Sequence, residues 1–436
     1  MTTDRRKLGL LALIGPGLLV AATGVGAGDL AGGALAGSRL GLTVLWAVAI
    51  GALLKFAVTE GLARHQIATG DTWLEGANRR FGLLFRVAFA LYLVPWSYFT
   101  GAAMISACAN ISQAAIESIA GREIRFTIEG VRVDPATVAL GVAHSAIGLV
   151  VAWVGGFKWF ERVMAACIAL MFATVIGAAI LIRPDPGELA WGLLPKVPTA
   201  PASDPEADAL GWTVALIGGV GGTLTVICYG YWIREKKLDA TEADERAKRA
   251  SLGRARTDLA VGYGATALFG MSMLVLAAGT NVSGGGSSLV IQIADRVGEA
   301  AGNAGKIAFL FGAWAAVLSS LLGVWQATPY VFADLMRSWR GHDAATPIDT
   351  RAWTYRGPLL AIATVPVLGL LFSFAGVQKA YGVYGALFLP LLALTLLLMN
   401  TGRLGPFRNG WFAMGGLAGV LGLFGWLAFQ RIAEAF

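Results

Sequence analysis

One carboxylate lies inside an apolar, glycine-rich stretch near the start of the chain. The stretch GPGLLVAATGVGAGDLAGGALAGS runs from Gly15 to Ser38, and Asp29 is its only acidic residue. A helix that merely crosses a membrane has no use for so many glycines beside a charge, because each costs about 1 kcal/mol of helix stability relative to alanine. The pattern therefore predicts a helix interrupted around residues 23–29, whose backbone and carboxylate contact a ligand.

A second glycine cluster occurs in the stretch GWTVALIGGVGGTLTVICYGYWIREK, which begins at Gly211. Hydroxyl side chains flank both clusters, and glycines at positions 26 and 28 permit close approach of the backbone to a small ligand. The predicted substrate-binding residues are Thr23, Gly26, Gly28, Asp29, Thr223, Thr225 and Tyr229. We expect Tyr231 to contribute a further hydroxyl, and Trp232 to close one side of the site as a gate.

The composition indicates an integral membrane protein. Of 436 residues, 56% are hydrophobic and 14% are charged, which is too apolar for a soluble chain of this length. The net charge of +7 is typical of basic cytoplasmic loops, so we expect no nucleic-acid partner. Eleven apolar runs are long enough to cross a bilayer: 8–38, 43–66, 83–111, 137–155, 160–182, 209–233, 257–280, 304–336, 356–375, 379–400 and 410–430.

Basic residues are concentrated in every second connection between these segments. The loop from Arg234 to Arg256 is strongly basic, whereas the connection at 183–208 is rich in proline, alanine and acidic residues. Because cytoplasmic loops collect lysine and arginine, we expect a cytoplasmic amino terminus and an extracellular or periplasmic carboxyl terminus. MTTDRRK precedes no cleavage site, so the first segment is expected to be retained. The predicted location is a bacterial inner membrane.

The two glycine-interrupted segments are the first and the sixth, five segments apart. Interrupted helices at matching positions of two halves are typical of transporters built from an inverted repeat. The predicted division is a first repeat (1–182), an extracellular connection (183–208), a second repeat (209–400) and an appended eleventh helix (401–436). Alternatively, the small residues only allow helices to pack closely.

The pattern GPG…GD-A-GG-SRLG…LW, followed by QIATGDTWLEG and the IGG-GGT region of segment 6, resembles the Nramp family of proton-coupled divalent-metal transporters. The resemblance covers most of the chain. It implies an all-α LeuT-type fold with a 5+5 inverted repeat, broken helices 1 and 6, and alternating access around a site at mid-membrane. It also implies a transporter and not an enzyme.

The family's functional motifs are altered in this chain. The resemblance places Gly26–Asp29 where the family has Asp-Pro-Gly-Asn, whose Asp and Asn ligate the metal. It places Thr225, Val226 and Ile227 where the family has Met-Pro-His, whose Met is a soft ligand. The second family histidine of that segment falls near Trp232. The residues that ligate the metal in the family are therefore missing from this chain.

These departures favour a small anion as the substrate. Loss of a thioether and a carboxylate argues against manganese, iron or cobalt. It also leaves less negative charge to balance the positive amino-terminal ends of the half-helices. We expect a small oxyanion such as bicarbonate, moved by a secondary transporter. Na⁺ is the candidate coupling ion, held by Ser319 and Ser320, and no other cofactor is expected. The alternative for this pair of serines is close helix packing.

Two other functions stay open. A divalent-cation transporter would use Asp29 to anchor a hydrated Mg²⁺, and a transporter-shaped receptor would carry no substrate across. Asp29 itself could cap a helix, complete a cation site or carry a proton. We expect a monomer, with Glu60, Arg64 and the deeper Lys55 forming ion pairs at one helix end or an inner gate.

Overall fold

The structure is a computed structural model that describes residues 15–124, 134–154, 156–196, 199, 208–236, 244–280, 286–340 and 348–433. Every regular element in these ranges is helical. Nine helical stretches of the described residues are long and apolar enough to cross a membrane. The chain is therefore an all-α, multi-pass membrane protein. The first stretch, Gly28–Thr69, joins parts of two predicted spans, and the count of eleven stays a prediction.

Within the described residues, the first part of the chain contains seven α-helices and one π-helical stretch. They are α1 (Pro16–Gly24), the π-helical stretch Val25–Gly32, α2 (Gly33–Leu40), α3 (Leu45–Thr69), α4 (Trp73–Ala120), α5 (Pro135–Val154), α6 (Gly156–Ile182) and α7 (Pro186–Gly192). A 3₁₀ turn, Gly41–Val44, separates α2 from α3.

The second part of the described chain contains seven further α-helices. They are α8 (Ala209–Gly219), α9 (Cys228–Glu235), α10 (Glu245–Ala277), α11 (Gly286–Trp339), α12 (Trp353–Thr364), α13 (Phe374–Met399) and α14 (Trp411–Ala433). Short 3₁₀ segments at Leu224–Ile227, Val365–Leu371 and Gly402–Phe407 join some of them.

Local sequence explains where the longest helices begin and bend. Thr72 and Glu75 form a reciprocal capping box that satisfies free amides at the start of α4. Gly82, with a φ of 67°, divides α4 into two helices, and Gly302 divides α11 in the same way with a φ of 70°. The backbone therefore changes direction at these glycines inside both long helices.

The centre of the bundle is built by α11, which packs most extensively against α4 and α6. Around this centre, α10 packs on α1, α2 and α3, and α13 packs on α8. Leucines such as Leu84 and Leu91 on α4 face outward, as expected where lipid replaces water as the solvent. The two interrupted segments therefore lie inside a shell of longer helices.

Candidate functional site

The first interruption lies where the sequence predicts it but takes an unexpected form. Residues Val25–Gly32 form a π-helical stretch between α1 and α2, and the flanking Gly24 and Gly33 have right-handed helical angles. The chain therefore widens at this point without unwinding. Short π-helical stretches inside α-helices often mark functional sites, because they open the regular hydrogen-bond pattern.

The second interruption is a true break in the helix. α8 ends at Gly219, and Gly221 and Gly222 have φ angles of 69° and 90°, a left-handed region that favours glycine. A 3₁₀ turn at Leu224–Ile227 then leads into α9. The carbonyl groups at the end of α8 consequently lack helical partners and need donors from elsewhere.

The two interruptions touch backbone to backbone. A methyl group added to Gly24 would overlap the main-chain nitrogen of Gly222, and one added to Gly28 would overlap the carbonyl oxygen of Gly219. This contact explains why both stretches are glycine-rich. It also places the π-helical stretch directly against the broken part of segment 6.

Asp29 projects from the π-helical stretch onto this broken loop. Its side chain is fully buried, and its Oδ2 accepts a hydrogen bond from the Gly221 N–H at 3.1 Å. Its Oδ1 has no hydrogen-bond partner among the described residues. A buried carboxylate oxygen without a donor is costly, which indicates that a ligand or water completes the arrangement.

Lys55 of α3 reaches the same loop and is also fully buried. Its ammonium donates to the carbonyl oxygens of Gly218 at 3.0 Å and Val220 at 2.5 Å, and to that of Gly222. A lysine ammonium has three N–H donors and accepts none, so these bonds use all of them. The end of α8 is also the negative end of its dipole, which favours a cation at this position.

The loop therefore presents acceptors where an anion would need donors. The Gly221 N–H is taken by Asp29, and the Gly26 N–H donates to Ser320 Oγ at 2.6 Å. Three carbonyl oxygens converge on the positive charge of Lys55. These contacts remove the geometric basis of the expected oxyanion site.

The predicted threonines lie close to the interruptions in different settings. Thr23 donates to the Leu19 carbonyl of its own helix at 2.8 Å, and Thr223 Oγ1 accepts from Trp96 Nε1 at 2.8 Å. The Thr225 hydroxyl is buried beside Gly222 and has no partner in the described part of the chain. Thr225 and Asp29 thus each offer a free buried oxygen near the same loop.

The aromatic candidates lie farther along α9. The Tyr229 hydroxyl donates to Asp258 Oδ2 at 3.3 Å, and the same carboxylate oxygen accepts the Gly17 N–H at 2.7 Å. Trp232 is fully buried and packs on Phe160 of α6, with ring centroids 5.9 Å apart. The structure therefore brings Asp29, Thr225 and the glycines to the broken loop, while the side chains of Tyr229 and Trp232 contact other residues.

The two serines of α11 differ in their contacts. Ser320 accepts from Gly26 and donates to the Ala22 carbonyl at 3.1 Å, which ties α11 to the first interruption. Ser319 donates to the Ala316 carbonyl of its own helix at 2.8 Å. A role of either serine in holding Na⁺ stays a prediction.

Lys55 is the residue whose position the sequence interpretation missed. The sequence predicts either a helix-end ion-pair cluster or an inner gate for Glu60, Arg64 and Lys55. Glu60 and Arg64 pair with each other at 2.5 Å, whereas Lys55 extends to the broken loop at Gly218. The signal was present, since Lys55 lies ten residues inside the apolar helix α3. Ionisable residues at such depth are functional candidates by default.

A second buried network lies at one end of the bundle. Glu75 of α4 accepts from Arg234 of α9 at 2.6 Å and from Arg337 of α11 at 2.5 Å. Asp334 joins Arg337 at 2.7 Å and accepts from the Tyr231 hydroxyl at 2.8 Å. This network, which includes the predicted Tyr231, ties three helices together away from the interruptions.

The described residues contain no group of three or more His, Cys, Asp or Glu side chains that could hold a metal. A metal ion at the interruptions would therefore have to use main-chain carbonyls, hydroxyls and the single carboxylate of Asp29. Such a donor set consists only of oxygen, which suits hard cations.

Comparison with known proteins identifies relatives by sequence. A family model described as natural resistance-associated macrophage protein-like, Nramp, matches residues 17–434. The divalent metal cation transporter MntH of Chromohalobacter salexigens is 25% identical over 276 residues, which cover 63% of this chain and 58% of that protein. The MntH of Yersinia pestis is 28% identical over 215 residues, 49% of each chain. The matched region thus spans about half to three fifths of these relatives.

Solved structures share the arrangement of the helices. A variant of the Eremococcus coleocola manganese transporter has a TM-score of 0.69 at 16% identity, covering all of this chain and 88% of the other. MhsT in complex with L-phenylalanine has a TM-score of 0.59 at 16% identity, with coverage of 96% and 98%. The inward-facing conformation of Mhp1 has a TM-score of 0.58 at 17% identity, with coverage of 97% and 92%. The fold is therefore of the LeuT type.

Proposed function

Since the family model spans nearly the whole chain, this protein belongs to the Nramp family, and we propose that it is a secondary transporter of a divalent metal cation. Membership of this family makes the chain a transporter and not an enzyme. The substrate would bind between the π-helical stretch and the broken loop of segment 6, in a bacterial membrane, and would cross by alternating access.

One observation carries the proposal: the broken loop already coordinates a positive charge. Its three carbonyls surround the Lys55 ammonium, and the Asp29 carboxylate holds the loop through Gly221. Dehydrated cations bind in membrane transporters at unwound carbonyls and negative helix ends. The unpartnered oxygens of Asp29 and Thr225 add two further potential ligands beside the same loop.

The relatives support a divalent cation in particular. Both sequence relatives are named as divalent metal cation transporters, and the structure with the TM-score of 0.69 belongs to a manganese transporter. Their activity is carried to this chain as part of the proposal, because the sequence matches cover only part of each relative. None of these names refers to bicarbonate or another anion.

Among divalent cations, we propose Mg²⁺ rather than Mn²⁺ as the substrate, because the position of the family's thioether ligand is occupied by a hydroxyl. Mn²⁺ accepts a thioether ligand more readily than Mg²⁺, which prefers oxygen and keeps part of its water shell. Thr225 occupies the place where the family resemblance puts the methionine, and its hydroxyl supplies oxygen. The chain therefore keeps an oxygen-based site in which Mg²⁺ binds through one carboxylate, neutral oxygens and water.

The expected bicarbonate substrate loses its main support. That expectation needed free N–H groups at the interruptions, but those of Gly26 and Gly221 are hydrogen-bonded to Ser320 and Asp29. The three donors of Lys55 are also used within the loop. The divalent-cation alternative fits both the contacts and the family better.

The test is transport by the purified full chain in proteoliposomes. Vesicles contain either an Mg²⁺ and Mn²⁺ indicator or a pH dye, and each set receives MgCl₂, MnCl₂ or sodium bicarbonate outside. We expect a metal signal that is larger for Mg²⁺ than for Mn²⁺ and no alkalinisation with bicarbonate. Alkalinisation that requires the protein, without a metal signal, contradicts the proposal and restores the anion.

A further inference from the structure

Lys55 occupies the oxygens on which the proposed cation site depends. Its ammonium bonds the carbonyls of Gly218, Val220 and Gly222 and has no fourth donor. Its side chain is fully buried, so no water layer separates the charge from these oxygens. A cation that belongs to the chain itself thus fills the place of a small transported cation.

A divalent cation and the Lys55 ammonium cannot share these three carbonyls. Each oxygen would have to face both charges, and like charges repel strongly in a medium of low dielectric constant. Among the described residues, Asp29 supplies the one carboxylate hydrogen-bonded to the loop. One negative charge cannot balance an ammonium and a divalent ion at the same place.

We propose that Lys55 is a tethered competitor of the transported cation. Its ammonium holds the empty site closed, and it must withdraw from the carbonyls of residues 218–222 before the substrate binds there. This inference rests on the proposed function, because it assumes that a divalent cation uses this loop.

Competition by Lys55 weakens the binding of the metal and restores the contacts of the loop after the metal leaves. If the carbonyls are free of Lys55 for about one tenth of the time, the apparent dissociation constant for the metal is about tenfold higher than the intrinsic one. After release of the substrate, Lys55 returns and satisfies the carbonyls at the end of α8. The Lys55 ammonium therefore occupies the carbonyls of the loop between transport events.

A purely structural role of Lys55 makes a different prediction. The last carbonyls of any helix need donors, and a lysine can supply them without taking part in transport. In that case, removing the ammonium destabilises the loop and creates no better cation site. Cation affinity therefore distinguishes the two roles, whereas stability alone does not.

The first experiment compares Lys55→Leu, which removes the ammonium without adding a thioether, with a matched control, Lys379→Leu. Lys379 forms an ion pair with Asp208 at 2.5 Å, away from the interruptions, so its removal also deletes one lysine charge. Binding of Mg²⁺ and of Mn²⁺ to each purified full-length protein is measured by titration calorimetry. We expect a dissociation constant about tenfold lower for Lys55→Leu than for the wild type, and no change for Lys379→Leu.

Each other outcome contradicts a specific statement. Equal dissociation constants for the wild type and Lys55→Leu contradict the role of Lys55 and leave the divalent-cation function intact. Failure of all three proteins to bind either metal contradicts the divalent-cation function itself, and with it this inference.

A second experiment uses only the wild type, in case Lys55→Leu does not fold. Lysines are methylated with formaldehyde and cyanoborohydride, with and without saturating Mg²⁺, and each site is quantified by mass spectrometry. We expect Mg²⁺ to raise the methylation of Lys55 severalfold and to leave that of Lys379 unchanged. Unchanged methylation of Lys55, under conditions in which Mg²⁺ binds, shows that the ammonium does not leave the loop and overturns the proposal.

Discussion

Asp29 and Lys55 hold the same glycine-rich loop through opposite groups of its backbone. The carboxylate takes the N–H of Gly221, and the ammonium takes the carbonyls on either side, at Val220 and Gly222, as well as that of Gly218. The loop is thus fixed by two fully buried charges of opposite sign from two different helical segments. A change of either charge should alter both the loop and the cation that it binds.

Replacement of Ser320 by alanine should destabilise the protein. The substitution leaves the buried Gly26 N–H without its side-chain acceptor, whereas the Ala22 carbonyl keeps its bond from the Val25 N–H. Each loss of a buried partner costs about 1–3 kcal/mol. The free energy of unfolding of Ser320→Ala in detergent should therefore fall by at least about 1 kcal/mol.

Ser319→Ala is the matched control for that prediction. Ser319 donates only to a carbonyl of its own helix and to the sulfur of Met171, so its removal should cost less than about 1 kcal/mol. Equal effects of the two substitutions would contradict the special role of Ser320 at the first interruption.

A side chain at Gly222 should distort the broken loop. Its φ of 90° strains any other residue, by about 1–2 kcal/mol in the left-handed region, and a methyl group would lie 2.7 Å from Thr225 Oγ1. Gly222→Ala should lower both the unfolding temperature and cation uptake. Gly264→Ala, at an open position of α10, should leave both unchanged or raise the unfolding temperature. Similar results for the two variants would argue against a strained loop.

A methionine at position 225 should change the choice of metal. Thr225 lies beside Gly222 with an unpartnered hydroxyl, so Thr225→Met exchanges a hard oxygen for a soft thioether near the loop. The ratio of Mn²⁺ to Mg²⁺ uptake in proteoliposomes should rise. The exposed Thr257→Met serves as the control, and an unchanged ratio in Thr225→Met would place the metal away from this hydroxyl.

The network around Glu75 should contribute strongly to stability. Glu75 is buried and pairs with Arg234 and Arg337. Glu75→Gln therefore removes the negative charge that balances two guanidinium groups. Breaking such a pair costs about 3 kcal/mol. Denaturant unfolding should show this loss, whereas Glu245→Gln, which breaks an exposed pair with Arg249, should cost about 0.5 kcal/mol or less. Equal losses would mean that the network is solvated in solution.

Glycine spacing made the architecture predictable from the sequence. The interruptions near Asp29 and Gly221 are predictable because clustered glycines destabilise a helix. The all-α fold is implied by the family resemblance. The π-helical form of the first interruption could not be predicted, because it depends on contact with Gly219 and Gly222 of a distant segment. Local propensity contains no information about that contact.

The sign of the substrate's charge is the part of the sequence interpretation that the contacts at the site and the relatives do not support. Counting lost metal ligands suggested an anion, because the sequence does not reveal which N–H groups find internal partners. Gly26 meets Ser320 across 294 positions of the chain, and Lys55 meets Val220 across 165. Such long-range pairs reverse the electrostatic conclusion, and only the three-dimensional structure shows them.

The most direct test of the account is uptake of Mg²⁺ by Asp29→Asn in proteoliposomes. Asparagine keeps the size of the side chain but removes the negative charge that faces the broken loop. Asp208→Asn is the control, since it removes a carboxylate near the start of α8 and can still cap that helix. We predict that Asp29→Asn abolishes uptake while Asp208→Asn retains it. Wild-type uptake by correctly folded Asp29→Asn would contradict a cation site at the two interruptions.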